Sequence, residues 1–272
     1  MRNPLLNWLF YGHLWIALAA LALSWQSTYL ATGDPALYAS HYFVFFATLG
    51  VYTSHRALSF QRTRGYPTGR RYRLISRQPV ASALVAILSL TVAAAIATQF
   101  AAAAFWPVIL ALPFTFFYLI PLFPGGPRLR DLPYLKVVWV ALAWALMTDT
   151  FVAEGVRSVG SESFIRFALI LAVALLFDSR DVVLDRRQGV RTLAAQRPGL
   201  NRSVAMLLLL GCGLLSYLSY PTAQGLPLLL AYAAAALVGR FTRADRGEDF
   251  YAVYVNGLLL LPPLCLLLGL LS

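Results

Sequence analysis

The sequence predicts an all-α polytopic membrane protein with about nine transmembrane helices, and three observations carry that prediction. Hydrophobic residues make up 60% of the 272 and charged residues only 12%, too little charged surface to keep a soluble domain of this length dispersed. The apolar residues fall in blocks long enough to cross roughly 30 Å of hydrocarbon, which takes about 20 residues of helix. Polarity does not alternate within the blocks, as the strands of a membrane barrel would require.

Nine blocks are predicted to span, over residues 8–30, 36–60, 79–99, 101–123, 133–152, 164–185, 203–220, 225–239 and 250–271. The third and fourth are separated by almost nothing, and the seventh and eighth are short. No soluble domain or long linker interrupts them, so a single membrane domain is expected over residues 1–272. The two cysteines, Cys212 and Cys265, lie inside apolar blocks and form neither a disulfide framework nor a metal pattern. No cleavable signal peptide is expected, because Arg2 stands nearly alone before the first block and no small-residue cleavage site follows.

The net charge of +11 would suit nucleic acid, but the basic residues sit in short loops between apolar blocks, which excludes that partner. Membrane lipid headgroups and phosphorylated substrates suit the pattern better. Arg62, Arg64, Arg70, Arg71, Arg73 and Arg77 follow the second block, and Arg128, Arg130 and Lys136 follow the fourth. Arg180, Arg186, Arg187, Arg191, Arg197 and Arg202 surround the end of the sixth, and Arg240, Arg243 and Arg246 follow the eighth. With Arg2 and Arg56, one side carries 20 of the 22 basic residues, leaving Arg157 and Arg166 on the other. Positive loops stay inside, which predicts a cytoplasmic amino terminus and an outside carboxyl terminus, in a bacterial inner (cytoplasmic) membrane.

The chemistry-bearing stretch runs from Phe177 to Leu193, where Asp178, Asp181 and Asp185 are spaced i, i+3, i+7. At about 100° per residue these carboxylates share roughly 60° of one helical face, where like charges repel. A divalent cation would relieve that repulsion, and Mg²⁺ favours one or two carboxylates completed by phosphate oxygens. The alternative is a solvated helix end whose aspartates are neutralised by neighbouring arginines.

Asp181-Val-Val-Leu-Asp185, preceded by Asp178-Ser179-Arg180 and followed by Arg186 and Gly189-Val190-Arg191-Thr192-Leu193, resembles the second aspartate-rich motif of the UbiA superfamily. The resemblance implies a UbiA-like bundle of nine helices that transfers a prenyl group from an isoprenoid diphosphate to an aromatic or other lipophilic acceptor. It implies Asp181 and Asp185 as catalytic Mg²⁺ ligands, with Asp178 ligating or orienting. Arg180 and Arg191 would contact diphosphate, Tyr118 and Lys136 resemble a tyrosine and a lysine that several members place near it, and Arg130 joins this substrate-binding set.

The sequence departs from the family in its first motif. Between Asp34 and Asp131 there is no acidic residue, and if Thr53 stands for the family's asparagine, Ala57 and Gln61 stand for its aspartates. Val183 replaces a glutamate often found in the second motif. Either His55, Arg56 and Arg62 contact the diphosphate as fixed charges, or catalysis has been lost and the fold binds a prenyl lipid or a partner. His55 has a structural reading as a helix-end hydrogen-bonding residue, and Arg56 one as a snorkelling cation. Here the chain resembles a divergent UbiA-like subgroup with a Tyr–His–Arg pattern and a first span like His13-Leu-Trp-Ile-Ala17. On a straight helix Arg56 and Arg62 are about 240° apart and cannot both face one cavity, whereas His55 and Arg56 can. His13 and His41 are read as packing residues. A CDP-alcohol phosphotransferase would need a DGxxAR element that is missing, and a transporter would show repeats or broken helix pairs.

Overall fold

The computed structural model describes residues 3–62, 70–153, 160–187 and 189–271, without the side chains of residues 61, 62, 70, 71 and 271. The expected Arg62 contact lies outside the described residues. Each of the nine predicted segments is helical, and no strand occurs among the described residues. In chain order the helices are α1 (Pro4–Tyr11), α2 (Leu14–Thr32), α3 (Ala39–Arg62), α4 (Arg70–Arg77), α5 (Pro79–Ala97), α6 (Trp106–Phe117) and α7 (Lys136–Ala145). They continue as α8 (Ser161–Arg187), α9 (Leu193–Gln196), α10 (Pro198–Ser219), α11 (Thr222–Gly239), α12 (Glu248–Phe250) and α13 (Leu261–Leu271).

Helices α2, α5, α10 and α11 are long and apolar enough to cross a membrane by length and composition. The remaining segments differ for local reasons. Helix α6 ends at Phe117, short of the predicted boundary at 123, ahead of Pro121, Pro124 and Pro127, which disfavour helix at the residues before them. Helix α7 runs into a π-turn at Leu146–Thr150, and the last segment is divided by a second one at Tyr251–Val255. Helix α10 begins at Pro198, five residues before the predicted boundary, because a proline fits the first turn of a helix.

Helix α8, ~40 Å long at 1.5 Å per residue, is the axis of the bundle. It packs on α7 and α10, α10 packs on α11, α13 on α2 and α11, and α3 on α2 and α5. Leu207, Leu214 and Leu218 of α10 and Ile87 and Leu88 of α5 point outward, as lipid-facing residues do. Small residues hold the α3–α5 crossing: Ser82, Ala86, Ser89 and Ala93 are the buried stripe of α5. Opposite them, a Cβ on Gly50 would stand 2.6 Å from Leu90 Cγ and 3.2 Å from the Ala86 carbonyl oxygen. Helix propensity favours Gly50→Ala by about 1 kcal/mol, but overpacking costs about 1–3 kcal/mol and the backbone contact cannot swing away. Gly50→Leu should therefore lower the melting temperature in detergent clearly, and Gly50→Ala slightly.

Helix α8 carries charge at both ends. Asp178 and Asp185 are buried near its end, and Glu162 and Arg166 are buried in its first two turns. At that far end Arg166 Nη2 donates to Glu162 Oε1 (2.9 Å) and to Ser27 Oγ (3.0 Å). Gln26 Nε2 and the Tyr220 hydroxyl also donate to Glu162, at 3.2 and 3.0 Å. Ser27 and Ser163 donate to Asp149, which the π-turn after α7 places among them. His41 bonds Thr28 and the Tyr38 amide nearby, the packing role expected of it.

Candidate functional site

A cavity of about 600 Å³ runs along the inside of the bundle from the aspartate end of α8 towards the far end. One face of α3 lines it, with Phe43, Ala47, Val51, Tyr52, His55, Arg56 and Ser59 following the 3.6-residue period. The shaft is apolar and aromatic through Phe114, Val140, Trp144, Ile170 and Val173. Trp144 Nε1 donates to the Tyr52 hydroxyl at 2.9 Å, which satisfies a polar pair that would otherwise be costly in this setting. The polar residues gather at the aspartate end.

There Lys136 is the hub. Its Nζ lies 2.9 Å from Asp178 Oδ1 and 3.0 and 3.2 Å from the two oxygens of Asp185, with all three side chains buried. Tyr134 precedes it in the left-handed region (φ 62°), donates its amide to the Arg191 carbonyl at 3.0 Å and its hydroxyl to Gln196 at 2.7 Å. These bonds fix the start of α7 against the segment that follows α8. Arg180 grips Asp181 with two contacts of 3.1 Å and lies over the Phe177 and Tyr251 rings.

The tail of the motif is explained by chain geometry. Gly189 adopts φ 71°, and the Val190 amide donates back to the Asp185 carbonyl at 2.9 Å, closing α8 just beyond its last aspartate. Val190 is buried, and Thr192 caps α9 through the Ala195 amide. Arg191 has an exposed side chain that does not line the cavity, so its recorded role is its carbonyl. Val183, where the family often has glutamate, is 60% exposed and outside the cavity wall.

Tyr118 and Arg130 both line the cavity, with the guanidinium 5.8 Å above the tyrosine ring. The turn bearing Arg130 is locked by Asp131, which accepts from the Arg128 amide, Nε and Nη2 at 3.1, 2.7 and 2.8 Å. Burial pushes the Asp131 carboxyl up, but the Arg128 bonds outweigh it and hold the carboxyl below its ordinary value.

On the opposite wall, Arg56 Nε donates to His13 Nε2 at 3.5 Å and its guanidinium lies 5.4 Å over the Tyr72 ring. That bond leaves the ring proton on Nδ1, which faces Thr53 Oγ1 at 3.4 Å. His13 is buried in the left-handed region (φ 66°) between α1 and α2, a conformation uncommon for residues other than glycine. It lines the cavity, unlike the packing residue expected. The strained backbone aims a ring at the position where the first aspartate motif is missing. Glu248 and Asn256 also line this end, and sequence reading did not single them out.

The structure thus brings His55, Arg56, Tyr118, Arg130, Lys136, Asp178, Arg180 and Asp181 to one cavity, with Asp185 sealed behind Lys136. Among the described residues no three His, Cys, Asp or Glu side chains group closely enough to hold a metal on their own. Two cavity-lining carboxylates, Asp178 and Asp181, remain suitable for a Mg²⁺ ion that phosphate oxygens complete.

No family model and no curated protein matches this sequence. Two solved structures are similar in fold. A UbiA homolog from Archaeoglobus fulgidus bound to GPP and Mg²⁺ is 13% identical, with TM-score 0.66, over 98% of this chain and 100% of that one. A digeranylgeranylglyceryl phosphate synthase is 14% identical, with TM-score 0.56, over 97% and 96%. The fold is therefore the UbiA type across nearly the whole chain.

Proposed function

We propose that this UbiA-type bundle is a prenyltransferase that takes an isoprenoid diphosphate and passes the prenyl group to an aromatic or other lipophilic acceptor, with Mg²⁺. The observation that carries this reading is the polarity of the cavity: an apolar aromatic shaft ends in a cluster of four cations and three carboxylates. Among the described residues Arg56, Arg130, Lys136 and Arg180 line it against Asp178, Asp181 and Glu248, and Asp185 behind Lys136 matches carboxylates to cations in number. A diphosphate adds roughly two to three negative charges, so its binding calls for further positive charge, and a divalent ion is the economical source.

Asp178 and Asp181 are the residues that would hold Mg²⁺, which when bound supplies electrostatic stabilisation to the leaving diphosphate. The chain's own cations do the rest. Arg56 and Arg130 reach phosphate oxygens from opposite walls, and Lys136 holds Asp178 in place while presenting charge to the same pole. The Tyr52, Phe114 and Trp144 rings exclude water from the allylic carbon and offer π-faces to the positive charge that develops there. His55 lines the same wall as Arg56, its ring hydrogen-bonded to the Thr115 backbone, which suits the structural reading of this histidine better than a catalytic one.

A second reading, a non-catalytic binder of prenyl lipids, is favoured by one specific observation: each aspartate of the motif is already ion-paired, Asp178 and Asp185 sharing Lys136 and Asp181 held by Arg180. The two readings part in one experiment on protein purified in nanodiscs. Geranylgeranyl diphosphate should bind saturably and at least tenfold more tightly with Mg²⁺, while Mg²⁺ alone should bind negligibly. Asp181→Ala should remove the Mg²⁺ enhancement, and Arg56→Ala should weaken binding tenfold or more, with Arg56→Lys recovering only part. Product formed across a panel of aromatic acceptors supports the enzyme. Saturable binding without transfer to any of them supports the binder, and Mg²⁺-independent binding in Asp181→Ala removes the metal role.

A further inference from the structure

Helix α3 offers no carboxylate to the diphosphate pole, because the chain has no acidic residue between Asp34 and Asp131. We infer that Glu248, at the start of the last membrane segment, supplies the carboxylate that α3 lacks and completes the Mg²⁺ site with Asp178 and Asp181. This rests on the Mg²⁺–diphosphate reading above and deepens it, by naming a metal ligand that comes from an element other than α8.

Elimination narrows the choice to this residue. Of the eleven acidic residues, Asp149 and Glu162 belong to the far cluster, and Asp185 is sealed behind Lys136. Asp34 accepts from the Tyr38 hydroxyl between α2 and α3, and Asp131 is committed to Arg128. Asp245 is exposed in the loop before α12, Asp249 accepts from the Tyr11 hydroxyl, and Glu154 lies outside the described residues. Among the described residues, the carboxylates lining the cavity are therefore Asp178, Asp181 and Glu248, and Glu248 alone of these stands off α8.

Both neighbours of Glu248 are tied to the pole. Asp249 holds the Tyr11 hydroxyl at the end of α1, and the His13 ring two residues beyond Tyr11 accepts from Arg56. Trp15 Nε1 donates to the Val253 carbonyl at 3.3 Å, which docks the π-turn after α12 on the start of α2. On the other side the Arg180 guanidinium lies 5.9 Å from the Tyr251 ring centroid while gripping Asp181. Tyr251 follows Glu248 by three residues, a rise of about 4.5 Å along a helix, so Glu248 and Asp181 share one end of the cavity. The Tyr251 hydroxyl also donates to the Arg243 carbonyl at 2.8 Å, fixing the loop that leads into α12. Ala252 and Asn256 line the cavity at four-residue steps after Glu248, so one face of this segment looks inward with its carboxylate at the polar end.

The chemistry of the ion calls for such a ligand. Mg²⁺ takes a near-octahedral set of oxygens at about 2.1 Å, shared between carboxylates, phosphates and water. Asp178 is paired with Lys136 and Asp181 with Arg180, so each offers a divalent ion less net attraction than its own charge would. A third carboxylate adds back that charge. The two α8 ligands also stand one turn apart on a single helix, and a ligand from a facing element fixes the ion's position where they alone leave it free to swing.

The test uses nanodisc-embedded protein and two readouts. One is binding of geranylgeranyl diphosphate with and without Mg²⁺; the other is binding of Mn²⁺ in the presence of that diphosphate, read by electron paramagnetic resonance. Glu248→Gln, which keeps the shape and removes the charge, should cut the Mg²⁺ enhancement to about twofold and weaken Mn²⁺ binding about tenfold. Glu248→Asp, which withdraws the carboxylate by one carbon–carbon bond of about 1.5 Å, should fall between Glu248→Gln and the parent. Asp245→Asn removes the same charge from the exposed loop three residues away and should change either readout by less than about twofold. Full Mg²⁺ enhancement and Mn²⁺ affinity in Glu248→Gln overturn the ligand role, and so do equal losses in Asp245→Asn. Tighter metal-free binding in Glu248→Gln at an unchanged enhancement overturns it as well, making Glu248 a counter-charge to the cavity arginines. A parent protein whose diphosphate binding gains nothing from Mg²⁺ overturns the metal reading above, and the part of Glu248 with it.

Discussion

Lys136→Met should cost the protein both its ligand and much of its stability. The substitution keeps the length of the side chain and removes the one cation that Asp178 and Asp185 share, at 2.9 and 3.0 Å. Breaking a buried ion pair from one side costs about 3–5 kcal/mol, because a charge is left buried without compensation. For a chain of this size that is a fall of roughly 10 °C in melting temperature. Ligand affinity should fall at least tenfold, measured as binding of geranylgeranyl diphosphate with Mg²⁺. The two losses are separable, since Asp185 is sealed behind Lys136 and does not line the cavity. Adding Asp185→Asn to Lys136→Met should therefore restore most of the stability while leaving affinity low. Full recovery of affinity in the double variant would reduce Lys136 to a scaffold for the carboxylates.

The prominence of Lys136 was only partly legible in the sequence. Its resemblance to a family lysine was visible, but its two aspartate partners are 42 and 49 residues away, and no periodicity links them. The helical character of the nine predicted segments was legible because long apolar blocks without alternating polarity leave helix as the structure that satisfies the backbone. Their ends were less so: the polar first turn of α10 concealed a helix that begins at Pro198, and the prolines after Phe117 ended α6 early. The i, i+3, i+7 aspartates were read correctly as one face, yet facing one way did not make them equivalent. Asp178 and Asp181 reach the cavity, and Asp185 is enclosed by Lys136. Arg191 shows the converse, a motif residue whose carbonyl is used while its guanidinium is exposed. His13 could not have been found from spacing. It meets Arg56 across 43 residues through a left-handed backbone, and the hint was that His13-Leu-Trp-Ile-Ala17 and the Tyr–His–Arg pattern occur together in the subgroup the chain resembles.

The far end of α8 was wholly unexpected, since Arg166 was counted only as a stray cation on the side poor in positive charge. Among the described residues it is the cation that lies between Glu162 and Asp149 in the cluster described above, 1% exposed. Arg166→Leu should be among the most destabilising single substitutions in the chain. It would break the buried Arg166–Glu162 pair from one side, and the same ~3–5 kcal/mol applies. Glu162→Gln should cost far less. The amide oxygen still accepts from Arg166 and Gln26, and the new NH2 can donate to the Tyr220 hydroxyl, so no buried polar group need lose its partner. Arg166→Lys should also be mild, because Nη2 makes both recorded bonds while Nε and Nη1 meet no protein partner. A fork that uses one prong loses little when replaced by a point charge, in contrast to Arg56→Lys at the cavity. Because unfolding of such a protein is often irreversible, the comparison is best made as inactivation half-lives at a fixed temperature in detergent. The expected order is Arg166→Leu much shorter than Arg166→Lys and Glu162→Gln, with prenyl diphosphate affinity of the surviving protein unchanged in all three. Equal half-lives for Arg166→Leu and the parent protein would mean that the cluster is hydrated and carries little stability, despite its burial.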